Sequence, residues 1–228
     1  MILPSQYYEK SLYPLQDGVM SVLCKCGVQF FLTGGTALSR AYYNHRYSDD
    51  LDFFVCNDAD YAVQVKEVFH KLGEGGFFWD TDVDFLSNET FTTFKVRWSR
   101  SEAVLKLDFV NDVAVHFGDI VKTDLYYRTD SIRNILSNKL TCVFRFEAKD
   151  IADIREIALR ENVDWTQAIQ DARQKEAGVE LYYVSKILTG IPRDEFDKIA
   201  WVKKTEWDEF KADVDRIAFE VLGGSEQG

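Results

Sequence analysis

Two neighbouring stretches constrain this chain most: Leu32-Thr33-Gly34-Gly35-Thr36-Ala37-Leu38 and, soon after, Ser48-Asp49-Asp50-Leu51-Asp52-Phe53-Phe54. A glycine pair between an apolar run and a helix-like run predicts a tight strand-to-helix turn, because glycine accepts backbone angles that other residues resist. The second stretch reads as a strand. Residues i and i+2 of a strand share a face, so Asp50 and Asp52 project together while Leu51 and Phe53 point the other way. Either stretch alone has an ordinary structural reading, as a turn and as an acidic strand start. In this order, a turn that can approach an anion and two carboxylates that can share a cation predict a phosphate-and-metal site.

The rest of the chain has to build around that pair. Leu15, Val19, Met20, Val22 and Leu23 predict a helix ending near Gly27, and Val28–Leu32 a short strand. Thr36–Tyr43 reads as a helix opened by the glycine turn, and Leu51–Val55 as the next strand. Tyr61, Val65, Val68, Phe69 and Leu72 recur at helical spacing until Gly73, Gly75 and Gly76 stop them. Three strand-like segments follow near 77–86, 90–98 and 103–110. In the last, Ala103, Leu105, Leu107 and Phe109 alternate with Val104, Lys106, Asp108 and Val110. From 131 onward the period is helical, with helices expected over 131–147, 150–161, 164–176, 178–189 and 206–222. Residues 1–13 show no clear period, and the polar tail 223–228 reads as disordered. The chain is expected to be an α+β protein, with an α/β half over 1–125 and a helical half over 126–228.

Charge narrows the function. Net charge is −11, which argues against broad, non-specific nucleic-acid binding but leaves room for a local basic groove. Cys24, Cys26, Cys56 and Cys142 form no CxxC pair and no zinc spacing with His45, His70 or His116. Free thiols of a reducing cytoplasm are the plain reading. No apolar run suits a bilayer and no secretion signal is legible, so a soluble intracellular protein with no membrane partner is expected.

Two further residues join the site. Asp108 lies opposite the apolar residues of its strand. If that strand neighbours 51–55, Asp108 becomes a third metal ligand or the base for an attacking hydroxyl. Lys139 sits mid-stripe among Ile132, Ile135, Leu136, Leu140 and Val143. A lysine there must snorkel, pair with a carboxylate or face a charged ligand, and a triphosphate contact is the expectation. Asp150, at the start of the next helix, has a capping reading, with Asp153 in the first turn.

Gly34-Gly35-Thr36-Ala37-Leu38, then Tyr42 or Tyr43, then His45-Arg46-x-Ser48-x-Asp50-Leu51-Asp52-Phe53-Phe54, resembles the signature of the AbiEii/AbiGii toxin family. Lys139-Leu140-x6-Glu147-x-Lys149-Asp150-x2-Asp153-Ile154 resembles that family's second block. The resemblance covers roughly 28–55 and 105–155, in the same order. It implies a nucleotidyltransferase fold, related to the minimal nucleotidyltransferases, with a mixed β-sheet core and a helical C-terminal domain that completes the active site. It implies that Gly34, Gly35 and Thr36 hold NTP phosphates. Asp50 and Asp52 would bind magnesium with Asp108 as third carboxylate, and Lys139 and Asp150 would match later active-site positions. Family members are toxins of toxin–antitoxin or phage-abortive systems. Some transfer nucleotides to the 3′ end of tRNA, others are linked to GTP binding, and an antitoxin partner is usual.

The expectation is therefore a magnesium-dependent nucleotidyltransferase that moves an NMP unit from an NTP to an acceptor, with RNA and a tRNA 3′ end foremost. The enzymatic alternative is a small-molecule or protein acceptor, and the rival from another class is a non-catalytic nucleotide-binding or partner-binding module on the same fold. The segment 73–100, rich in Gly, Phe and Trp, has no assigned role in either reading.

Overall fold

The computed structural model describes residues 4–99 and 101–223. The tail read as disordered falls, past Gly223, outside the described residues. The chain divides after Asp130 into two compact units, where the sequence placed the division near 125. The difference has a simple cause. Leu32 Nα–H donates to the Arg128 carbonyl and Asp130 Nα–H to the Leu32 carbonyl, which ties 128–130 to the first strand.

The first unit is built on a six-stranded mixed sheet. It opens with helices α1 (Pro4–Tyr7) and α2 (Tyr13–Leu23), joined by a π-helical turn over Tyr8–Leu12. Residues 4–12 are thus helical although their sequence shows no period: the aromatic rings of Tyr8, Tyr13 and Tyr47 pack on one another, with Tyr8 and Tyr47 stacked at 4.3 Å. Strand β1 (Phe31–Thr33) leads into the short helix α3 (Gly34–Thr36), which widens into a π-helix over Ala37–Tyr43. Asn44, at φ 51°, ends it. Then come β2 (Leu51–Cys56), α4 (Tyr61–Glu74), β3 (Phe77–Trp79), β4 (Leu86–Ser87), β5 (Phe91–Trp98) and β6 (Val104–Asp112). The segment expected as one strand over 77–86 is two short strands. Asp80–Asp84 between them is polar except for Val83, too poor in apolar residues to extend either strand.

The sheet order is β1-β2-β6-β5-β3, with β4 paired to β5. β2 and β6 run parallel and every other pair is antiparallel. The alternation read in the sequence decides the faces. Leu51, Phe53 and Val55 of β2 and Leu105, Leu107 and Phe109 of β6 are buried, while Asp52 and Asp108 lie on the other face. Phe109 anchors the buried face, stacking on Phe53 at 5.3 Å and Phe94 at 6.0 Å and meeting Phe30 edge-on at 4.9 Å. Helix α4 packs on this side: Tyr61 Oη donates within 3.0 Å of the Phe109 carbonyl, and Phe69 meets Phe94 at 4.7 Å. The opposite face carries the carboxylates beside Phe31 and Phe54, whose rings lie 6.4 Å apart.

The second unit is helical: α5 (Ile132–Cys142), a 3-10 turn (Val143–Arg145), α6 (Ala148–Arg160), α7 (Trp165–Lys175), α8 (Leu181–Thr189), α9 (Arg193–Phe196) and α10 (Trp207–Val221). The helix expected over 131–147 stops earlier because Phe146 takes a left-handed conformation, φ 59°. Ser131 and Asp164 cap α5 and α7, each accepting from the backbone N–H three residues on. Ile135, Leu140, Ile154, Ile157, Val184, Leu188, Phe210 and Ile217 form this unit's core. No helix among the described residues is long and apolar enough to cross a membrane.

Phe109→Ala removes the ring shared by three aromatic neighbours. Urea unfolding monitored by circular dichroism should show a loss of about 3–5 kcal/mol, and a loss below 1 kcal/mol would mean that this cluster is not the core of the sheet.

Candidate active site

The register of β2 and β6 sets the geometry. Asp52 and Asp108 are direct partners across the parallel pair, and Thr33 of β1 is the partner of Asp52. Neighbouring strands lie about 4.8 Å apart. Two carboxylate charges at that spacing repel by roughly 3 kcal/mol at an effective dielectric near 20. Such an arrangement calls for a cation. Lys106, two residues before Asp108 on the same face, supplies one, donating to Asp108 Oδ2 at 2.6 Å. Burial is the largest single influence on Lys106 and acts to lower its pKa. The hydrogen bond to Asp108 and the charges of Asp108, Asp50 and Asp52 together outweigh it, so the pKa is raised.

One oxygen remains. Asp108 Oδ1 is buried without a hydrogen-bond partner, a state that is costly unless something fills it. Among the described residues no three His, Cys, Asp or Glu side chains converge closely enough to hold a metal ion by themselves. The donor set fits magnesium in the way that ion is ordinarily bound, through one or two carboxylates completed by phosphate oxygens and water.

The glycine turn serves this pair in a way the sequence did not specify. Gly34 has φ +67°, and a Cβ there would collide with Asp52 Oδ2. A Cβ on Gly35 would collide with the Arg46 guanidinium and meet Ser48 Oγ at 3.1 Å. Thr36, expected to offer its hydroxyl to a phosphate, is fully buried and donates instead to the Asp50 carbonyl at 2.5 Å. The correction has a physical reason. The loop 44–50 must deliver Asp50 and Asp52 to the strand in fixed phase, and side chains of the preceding helices pin it. Thr36 holds Asp50, Ser39 donates to the Arg46 carbonyl, and Gln16 Nε2 donates to the Ser48 carbonyl at 3.0 Å.

Sequence reading gave no site role to Lys106, Asp130 or His116. Asp130 is fully buried; Thr33 Oγ1 donates to its Oδ2 at 2.5 Å, and its Oδ1 lies 2.9 Å from His116 Nε2. The His116 ring packs edge-on to Phe31 at 5.2 Å, so this pair sits on the carboxylate face, next to the residue opposite Asp52. The available signals were weak. In the sequence His116 has only a missing zinc spacing to speak for it, and Asp130 merely precedes a helix start.

The first unit thus brings together Gly34, Gly35, Thr36, Asp52 and Asp108, with Asp50 at the entry of β2. The remaining two expected residues belong to the second unit, where they form a cluster of their own. Lys139, 8% exposed, donates to Asp150 Oδ1 and lies within 2.7 Å of Asp153 Oδ2; Arg145 donates to Asp150 Oδ2 at 2.8 Å. Lys139 therefore resolves its place in an apolar stripe by pairing with carboxylates. Asp150 is not the helix cap: Glu147 holds that position, and Asp150 is fully buried in the first turn.

A model of the family described as "Nucleotidyl transferase AbiEii toxin, Type IV TA system" matches residues 23–220. Among solved structures, JHP933 from Helicobacter pylori aligns with a TM-score of 0.65 at 17% identity, over 97% of this chain and 94% of that one. MenT4, a nucleotidyltransferase toxin from Mycobacterium tuberculosis, aligns with a TM-score of 0.63 at 17% identity, over 95% of this chain and 84% of that one. At these identities the structural likeness is one of fold. Comparison with curated proteins returned no match.

Two substitutions test this geometry. Gly34→Ala should cost at least about 1–2 kcal/mol, the penalty for a left-handed alanine, plus the collision with Asp52. In an Asp52→Gly background the collision part should vanish, which a double-mutant cycle in urea measures; full additivity would contradict the close approach. Lys139→Met should destabilise by about 3–5 kcal/mol, since it strips a partner from two buried carboxylates. A cost under 1 kcal/mol would mean that the cluster contributes little to folding.

Proposed function

This chain belongs to the AbiEii nucleotidyl transferase toxin family of type IV toxin–antitoxin systems, and from that premise we propose that it is a magnesium-dependent enzyme transferring an NMP unit from an NTP to RNA. The observation that carries the reading is the in-register pair Asp52 and Asp108, one of whose oxygens is buried with no partner, beside a glycine turn where a Cβ on Gly34 would meet Asp52.

In this reading Asp50 and Asp52 hold magnesium together with the nucleotide, and Asp108 stands beside them as the base. The ion, when bound, neutralises the triphosphate and the leaving pyrophosphate. Everything else is positioning and charge. The backbone of the Gly34–Thr36 turn receives phosphate oxygens, since two residues without Cβ leave it open to close approach. The acceptor hydroxyl oxygen forms a bond to the α-phosphorus as the bond to the β-phosphate oxygen breaks. Asp108, the carboxylate with an unpartnered oxygen, takes the hydroxyl proton. Lys106 holds the other oxygen of Asp108 and so keeps the accepting one aimed. Lys139 and Asp150 are matched to later active-site positions by the family resemblance alone. The tRNA 3′ end is the foremost acceptor on the same ground, and a cognate antitoxin is the expected protein partner.

The ion pair between Lys106 and Asp108 favours one alternative, a nucleotide-binding module in which lysine permanently occupies the metal's place. One experiment separates the two. With α-labelled NTPs, magnesium and total RNA, the wild type should place label on RNA, and Asp52→Ala should reduce the rate at least about 100-fold, a loss of some 2.7 kcal/mol of transition-state stabilisation. Nucleotide binding by calorimetry with no transfer to RNA would establish the binding module instead.

A further inference from the structure

The carboxylate face of the sheet does not end at Asp108. Moving from β6 to β5, the partner of Asp108 is Thr93, and the next same-face positions are Lys106 opposite Lys95, then Val104 opposite Arg97. Residues two apart on a strand are separated by about 6.6 Å, so Lys106, Lys95 and Arg97 form a short stripe of cations running away from the reacting carboxylates. The chain carries a net charge of −11, which makes this concentration unlike its overall balance. Like charges directly opposite on neighbouring strands destabilise a sheet, and Lys95 and Lys106 are such a pair.

Apolar side chains flank the stripe on the same face. Phe78 is the partner of Arg97 and Leu86 the partner of Thr93; they are 49% and 51% exposed. A groove of about 400 Å³ runs between β4 and β6, floored by Thr93, Lys95 and Lys106. Its rim carries one opposing charge, Asp84, paired with Lys95 at 2.8 Å. Both members of that pair are about half exposed, so an incoming anion can exchange for Asp84 at little cost. A cationic track beside exposed aromatic surface is the arrangement that binds single-stranded nucleic acid, phosphates on the cations and bases stacked on the rings.

We propose that this groove is the acceptor path: a single-stranded RNA 3′ segment lies across β5 with its phosphates on Lys95 and Arg97 and a base against Phe78, which leads its terminal hydroxyl past Lys106 to Asp108. This assigns a role to the strands of segment 77–98. The proposal rests on the reading of the carboxylate site as an RNA-modifying centre and is separable from it. Lys95 and Arg97 lie outside the metal and nucleotide residues, so binding of RNA and of nucleotide can be measured independently.

The test uses the full chain and a fluorescein-labelled single-stranded RNA of about twelve nucleotides, within the usual site size for such grooves. Anisotropy titrations over a range of salt concentrations compare the wild type with Lys95→Gln/Arg97→Gln. Each phosphate contact on a single strand contributes about 0.7 to the slope of log affinity against log salt. The double variant should therefore lose about 1.4 from that slope and at least about tenfold in affinity at low salt, while magnesium–NTP binding by calorimetry stays at the wild-type value. Phe78→Ala should weaken affinity without changing the slope. Unchanged RNA affinity and slope in the double variant overturns the proposal, as does failure of the wild type to bind the RNA. Displacement of the RNA by poly-L-glutamate as effectively as by poly(U) also overturns it, in favour of an acidic protein partner. In each of these cases magnesium–NTP binding and the Asp52→Ala transfer assay still report on the carboxylate site itself.

Discussion

Everything in the first unit follows from placing two carboxylates side by side on adjacent parallel strands. Asp52 and Asp108 are Cα partners on adjacent strands, so their charges repel. The sheet tolerates it because the opposite face of the same two strands is among its best packed parts. Phe53 and Phe109, one residue further along, stack at 5.3 Å and are fully buried. The unfavourable charge term, a few kcal/mol, is set against burial of two large rings, each worth roughly 1.5–3 kcal/mol. Lys106 lowers the charge further from one side.

The same demand explains the chain around the pair. Gly34 has no Cβ because Asp52 Oδ2 occupies that space, and Gly35 has none because Arg46 does. Thr36, Ser39 and Gln16 hold the loop before β2 by its carbonyls, which sets the phase at which Asp50 and Asp52 enter the strand. A one-residue slip would turn both carboxylates into the aromatic core and Phe53 out of it. In the second unit the same principle appears in closed form: Asp150 and Asp153 are buried, and Lys139 and Arg145 compensate them. The first pair is left with an unfilled oxygen and the second pair's charges meet cations within the chain, which is why the first is the better place for an exchangeable ion.

Much of this was legible from residues alone. Period-2 alternation put Asp50 and Asp52 on one face, and put Asp108 opposite Leu107 and Phe109, because burial of one sheet face imposes that pattern directly on the sequence. Helical period gave α4 to within two residues, and α6, α7 and α10 to within two at either end. Where local signals compete, the reading was less accurate. Residues 4–12 are helical through packing of tyrosines distant in sequence, and Thr36 is drawn to the Asp50 carbonyl by a tertiary hydrogen bond that no spacing encodes.

The sequence by itself determined which residue types had to share a face, and so the α+β class, the carboxylate strand and the glycine turn before it; these are consequences of backbone period and of where a Cβ can go. Only the tertiary structure decided which strands are neighbours. That choice makes Asp108 the partner of Asp52, brings Lys106 and Lys95 opposite one another, sets Asp130 and His116 behind Thr33, and turns Lys139 toward Asp150 and Asp153. Strand order depends on long-range packing and loop closure, and neither leaves a mark within a window of a few residues.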